Sequence, residues 1–95
     1  MSAYIIVDVE ITDPERYAEY VQAVPTTIAK YGGRFLVRGG RAEALEGSWD
    51  PSRIVVLQFE TYQRAMEWWA SEEYKAPKAL RQSASIANMI LVEGI

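Results

Sequence analysis

Tyr31-Gly32-Gly33-Arg34-Phe35-Leu36-Val37-Arg38-Gly39-Gly40 contains a helix stop, a strand and a strand stop in immediate succession. Gly32 is the natural left-handed cap at a helix C-terminus. Gly33 to Gly39 reads as a short strand, and Gly39-Gly40 marks a turn or bulge after it. Arg34 and Arg38 are an even number of residues apart, so a regular strand places both on one face with Leu36 between them. Two cations on one strand face must reach water, carboxylates or a ligand, because burying them unpaired is costly.

Upstream of this stretch lie a helix and a strand. Ala3 to Ile11 alternates: Ile5, Val7, Val9 and Ile11 form an apolar set suited to packed helices, and Tyr4, Ile6, Asp8 and Glu10 form a mixed set. Thr12-Asp13-Pro14-Glu15 starts a helix, with Asp13 as cap, Pro14 at the first helical position and Glu15 at the positive end. Tyr17, Tyr20, Val21, Val24, Ile28 and Tyr31 make its apolar stripe. Pro25 interrupts that stripe. The loss of one backbone donor predicts a kink near Val21 to Val24, or two short helices end to end.

Downstream, Ala42 to Glu46 reads as a short extended arm and Ser48 to Ser52 as a loop carrying Trp49. Arg53 to Glu60 is a third strand, in which Val55, Leu57 and Phe59 alternate with Ile54, Val56 and Gln58. Thr61 caps a second helix whose stripe is Tyr62, Ala65, Met66 and Trp69. Ser71-Glu72-Glu73-Tyr74 reads as a break and restart. A helical stretch then runs through Pro77 to about Ser83, and Ile86 to Glu93 is the last strand.

Strand, helix, strand, strand, helix, strand is the order of the ferredoxin-like α+β fold, βαββαβ, a four-stranded antiparallel sheet with helices on one face. The other face would carry Ile6, Leu36, Val56 and Ile90, and a second copy of the chain is the expected cover. A chain of 95 residues is one domain spanning 1–95. Such a small domain has a limited core and commonly gains stability by association.

Composition excludes several functions. Net charge is −3 and the basic residues are scattered, which argues against nucleic-acid binding. Neither cysteine nor histidine occurs, which removes thiolate nucleophiles, Fe–S clusters, the usual metal and haem ligands and the usual neutral-pH base. No metal-site spacing of acids, dinucleotide fingerprint or phosphate loop is present, so no cofactor is expected. No apolar run approaches a membrane span and no signal peptide is evident; the expected location is the cytoplasm.

Several segments resemble the bacterial family called domain of unknown function 1330. They are Tyr31-Gly32-Gly33-Arg34, Val37-Arg38-Gly39-Gly40, Glu46-Gly47 with Trp49, Ile54 to Phe59, Ala65 to Tyr74 and Val92-Glu93-Gly94. The resemblance implies a protomer of the dimeric α/β barrel class, in which two sheets pair face to face across a two-fold axis. That class includes muconolactone isomerases, cofactor-free monooxygenases and haem-degrading enzymes, so fold alone does not name a reaction.

The residues suggest a small-molecule site between sheet and helices, suited to a small aromatic or acidic metabolite. Arg38 or Arg81 would hold an acid group, since guanidinium fits carboxylate and phosphate. Ion pairing of Arg34 and Arg38 with Glu46, Asp8 or Glu10 is the structural alternative. Glu46, beside Gly47, is the one acid/base candidate; the alternative is again an ion pair. Trp49 is a pocket wall or stacking surface, or else a dimer anchor or loop plug. Trp68 falls off the core stripe and would line a cleft, whereas Trp69 falls on it. Tyr74 and Arg81 lie two helical turns apart and share a face if the helix continues through Pro77. The expected activity is a cofactor-free one, an isomerisation or a monooxygenase-like oxidation. The competing expectation is a non-catalytic homodimeric module that binds a ligand or a protein.

Overall fold

The sheet is built outward from β1 (Ala3–Ile11), which lies between β3 (Ile54–Phe59) and β4 (Ser85–Glu93) in the computed structural model, which describes residues 1–95. β2 (Arg34–Arg38) pairs with β3 at the far edge, so the order is β2-β3-β1-β4. Every pairing is antiparallel. Three helices, α1 (Pro14–Lys30), α2 (Tyr62–Trp69) and α3 (Glu72–Ala84), complete the ferredoxin-like α+β fold. None of them is long and apolar enough to cross a membrane.

Alternation decides which face is covered. Ile5, Val7 and Val9 of β1 and Val55, Leu57 and Phe59 of β3 are buried against Tyr17, Tyr20, Val24 and Ile28 of α1 and against Ala65, Trp68, Tyr74 and Ala84. Ile11 is exposed at the end of its strand, so the apolar set of β1 stops at Val9. The opposite face has no helix on it and leaves Ile86, Ile90, Leu36 and Val92 exposed.

Three expectations are corrected by packing. First, α1 is one continuous helix through Pro25, not two short helices end to end. Proline cannot donate to the carbonyl of Val21, and the Arg38 guanidinium takes the vacant place, donating from Nη2 at 2.7 Å. The lost backbone bond is thus replaced from a neighbouring strand, and the helix need not break.

Second, Arg34 and Arg38 do not share a face. A β-bulge falls between Phe35 and Val37: Phe35 is opposite Leu57, but Val37 is opposite Val56 and Arg38 opposite Val55. The extra residue reverses the alternation beyond it. Arg34 therefore bonds Gln58 Oε1 from Nε at 2.8 Å, beside Tyr4 and Ser2 on the helix-free side. Arg38 turns to the helix side and lies 4.3 Å above the centre of the Phe35 ring.

Third, Trp68 rather than Trp69 takes the core position of α2. Trp68 is fully buried and Trp69 only partly so, while Tyr62 and Met66 are exposed. The buried line of α2 runs through Ala65 and Trp68. α3 closes over it, stacking the Tyr74 ring on Trp68 with centroids 4.0 Å apart. Trp68 Nε1 donates to Thr27 Oγ1 at 3.0 Å, and Thr27 donates on to the Val24 carbonyl. A two-turn helix cannot fix its own phase, so the neighbouring helix sets it.

The remaining boundaries follow local chemistry. Asp13, Thr61 and Ser71 each accept the backbone N–H three residues on, capping α1, α2 and α3. α3 passes through Pro77 without interruption, as the Tyr74–Arg81 spacing required. Gly32, at φ 76°, ends α1. The segment between β2 and β3 contains no strand, so Ala42–Glu46 adds nothing to the sheet.

Candidate functional site

Arg38, Arg53 and Arg81 converge on one narrow cleft between the sheet and the helices. Its other walls are apolar or aromatic and include Val9, Tyr17, Tyr20, Val21, Phe35, Val55 and Trp68. The free space is about 30 Å³, room for one or two waters. Each cation arrives by a different route. The bulge turns Arg38 inward from β2. Arg53 precedes β3 and shares the parity of Val55 and Leu57. Arg81 descends from the last turns of α3 and is buried, with 5% of its surface exposed.

No carboxylate answers these cations. The two ion pairs of the chain, Lys30–Glu73 and Arg64–Glu67, involve none of them. Arg81 Nε donates to Tyr74 Oη at 3.3 Å. Arg53 Nε is buried without a hydrogen-bond partner, its guanidinium 5.7 Å from the centre of the Tyr17 ring. Arg38 reaches only the Val21 carbonyl, spanning from β2 to α1 on the exposed side of the cleft. Buried guanidiniums normally have anionic partners. A site with this lining suits an organic anion and repels metal cations. No group of three or more acidic side chains converges elsewhere to hold one.

Gly39 makes room for Arg53. Its φ is 74°, and a Cβ there would sit 2.1 Å from Arg53 Nη1. The backbone of Arg53 is held from the other face of the sheet, where Asp8 Oδ1 accepts the N–H groups of Ser52 and Arg53 at 2.9 and 3.3 Å. Trp49 Nε1 donates to Asp8 Oδ2 at 2.8 Å. This indole bond, opposed by desolvation and helped by the Ser52 and Arg53 amides, holds the Asp8 carboxyl below its ordinary range.

Tyr74 is fully buried behind the cleft, and its Oη lies 2.9 Å from that of Tyr20. Burial, with Tyr74 beside it, pushes the Tyr20 phenol well above its ordinary range, so it stays protonated.

Of the residues expected from sequence, Arg38, Trp68, Tyr74 and Arg81 come together here. Trp49 and Glu46 do not join them. Trp49 lies on the helix-free face, 61% exposed, beside Ile6, Asp8, Asn88 and Ile90. Glu46 is exposed on the segment between β2 and β3 and makes no hydrogen bond or ion pair, with Arg38 or with any other residue. The turn at Gly39 is made, but no hydrogen bond or ion pair joins Glu46 to Arg38 across it. Arg53 belongs to no motif, and its parity with Val55 is the one signal in the sequence that aims it at the cleft. Tyr17 and Tyr20 read from the helical stripe as mainly core with a phenol edge reaching a cleft, and both are buried residues that line this one. A second groove, about 170 Å³ between α2 and β4, is lined only by apolar residues including Met66, Trp69 and Ile90, and offers nothing to orient a ligand.

Residues 2–95 match the family model described as Domain of unknown function (DUF1330). No functionally curated protein matches the chain. Among solved structures, a protein of unknown function from Rhodopseudomonas palustris superposes with a TM-score of 0.80 at 16% identity, over 99% of this chain and 82% of that one. A dimeric ferredoxin-like protein of unknown function from Jannaschia sp. CCS1 gives 0.73 at 11%, over 99% and 100%. SnoaB, a cofactor-independent oxygenase from Streptomyces nogalater, gives 0.71 at 10%, over 99% and 93%. At these identities the likeness is one of fold.

Proposed function

The chain belongs to the domain of unknown function 1330 family, and on its ferredoxin-like frame we propose that it is a homodimeric binder of a small organic acid. The acid group sits among Arg38, Arg53 and Arg81, and a planar or aromatic body lies against Trp68, Tyr17 and Phe35. The observation that carries this reading is the set of guanidiniums at an apolar cleft with no carboxylate partner. A buried cation without its anion is costly to the free protein, and a ligand that supplies the anion offsets that cost on binding. The ligand enters by displacing the Arg38 bridge to Val21, since the cleft is too narrow for it otherwise. Guanidiniums and phenols can also stabilise negative charge on an oxygen. Cofactor-free isomerisation or oxidation of an activated substrate therefore falls within the reach of this site, and the fold likeness to a cofactor-independent oxygenase supports that reading. The dimer is supported by the exposed apolar sheet face and by the dimeric neighbour.

Calorimetric titration tests the binding claim. Benzoate, phenylacetate and phthalate are compared with benzamide, a neutral analogue of similar shape. Heat from at least one carboxylate and none from benzamide is expected. Silence from all the carboxylates, or equal binding of benzamide, overturns the proposal.

A further inference from the structure

The cleft also holds a hydroxyl donor with nothing on the protein to receive its proton. A guanidinium only donates, so Arg81 Nε uses one lone pair of Tyr74 Oη, at 3.3 Å. Tyr74 is fully buried, and its own proton must therefore find an acceptor. The only other hydrogen-bonding atom beside its Oη is Tyr20 Oη, at 2.9 Å. Tyr74 thus donates to Tyr20, and the chain of donors runs Arg81 to Tyr74 to Tyr20. The Tyr20 oxygen is occupied as an acceptor, and its proton is left over. Tyr20 lines the cleft and makes no further hydrogen bond. The stacked Trp68 ring holds Tyr74 in place from the other side.

We infer that Tyr20 is a specificity-determining residue whose hydroxyl, aimed by Arg81 and Tyr74, donates to a second oxygen of the ligand, a carbonyl or phenolic oxygen apart from the acid group. This rests on the organic-acid reading and narrows it to oxo- or oxy-substituted acids. The donation involves no covalent change. Tyr20 contacts the ligand, whereas Tyr74 acts through it as a positioning residue.

Isomeric probes test the inference without assuming a spacing. Benzoate carries the acid alone; 2-, 3- and 4-acetylbenzoate add a carbonyl at three separations. With the wild-type protein, at least one isomer should bind about three- to tenfold tighter than benzoate, the worth of one neutral hydrogen bond. Tyr20→Phe should erase that excess, bringing the ratio of acetylbenzoate to benzoate affinity to about one. Tyr74→Phe, which removes the aiming bond and leaves Tyr20 intact, should reduce the excess and keeps the test open if Tyr20→Phe folds poorly. An excess that survives both substitutions, or no excess for any isomer while benzoate binds, overturns the inference and leaves the anion site standing. If neither benzoate nor any isomer binds, the organic-acid reading fails and the inference falls with it.

Discussion

Gly39 shows how one residue ties backbone conformation to the site. Its positive φ disfavours any side chain and a Cβ there would push the Arg53 guanidinium aside, whereas the space around Gly40 is open. Gly39→Ala should therefore destabilise the fold by more than about 1 kcal/mol and weaken anion binding by displacing Arg53. Gly40→Ala should do neither. Urea melts of both variants check this, and equal stability for the pair would contradict it. That a glycine had to stand after the strand was legible from the sequence; that Arg53 needed the room was not, because the two residues are joined only by the pairing of β2 with β3. Glu73 offers a second test at this scale. Its carboxylate accepts from Lys30 and from Tyr31, the latter at 2.8 Å, and Lys30 above all holds its pKa down to about 2 from an ordinary 4.5. A depressed carboxyl contributes stability above its unfolded pKa and loses it as pH falls toward the folded value. Stability should drop between about pH 4.5 and pH 2, and Glu73→Gln should flatten that part of the profile. A parallel loss in the variant would assign the acid sensitivity elsewhere.

Elements were legible where their signals were local. Caps at Asp13, Thr61 and Ser71 and the alternation of β1 and β3 placed most boundaries within a residue or two. What failed were features settled by a neighbour. The bulge in β2 has no marker residue inside the strand, yet it alone moves Arg38 from the open face to the cleft. The continuity of α1 depends on an arginine in the next strand. Proline costs a helix interior about 3 kcal/mol relative to alanine, and the Arg38 bond recovers about 1 kcal/mol of that. Pro25→Ala should thus stabilise the protein by about 2 kcal/mol, because the restored N–H bonds Val21 itself. Arg38→Ala should destabilise the parent by about 1 kcal/mol and have a smaller effect in the Pro25→Ala background. A double-mutant cycle in urea measures that difference, and equal effects in both backgrounds would refute the compensation. Anion affinity should rise in Pro25→Ala, since Arg38 no longer has to leave a carbonyl to meet a ligand.

For the whole molecule, the uncovered sheet face and the unpaired cations belong to different problems. Ile90 and Ile86, 59% and 63% exposed, sit with Leu36 and Val92 on a surface that water covers poorly. Light scattering should give twice the mass of the chain, and Ile90→Lys should halve it with the fold intact; a monomeric parent would refute the dimer. The cations point inward and are the central claim, that Arg81 is held at a cost for an anion the protein does not itself contain. The most direct test is Arg81→Met, assessed by thermal melting and benzoate titration together. If Arg81 awaits a ligand, removing its charge should raise the stability of the free protein by about 1 kcal/mol or more while benzoate binding is lost. If Arg81 is a structural residue, the variant should melt lower than the parent and bind benzoate unchanged, and that result would contradict the account.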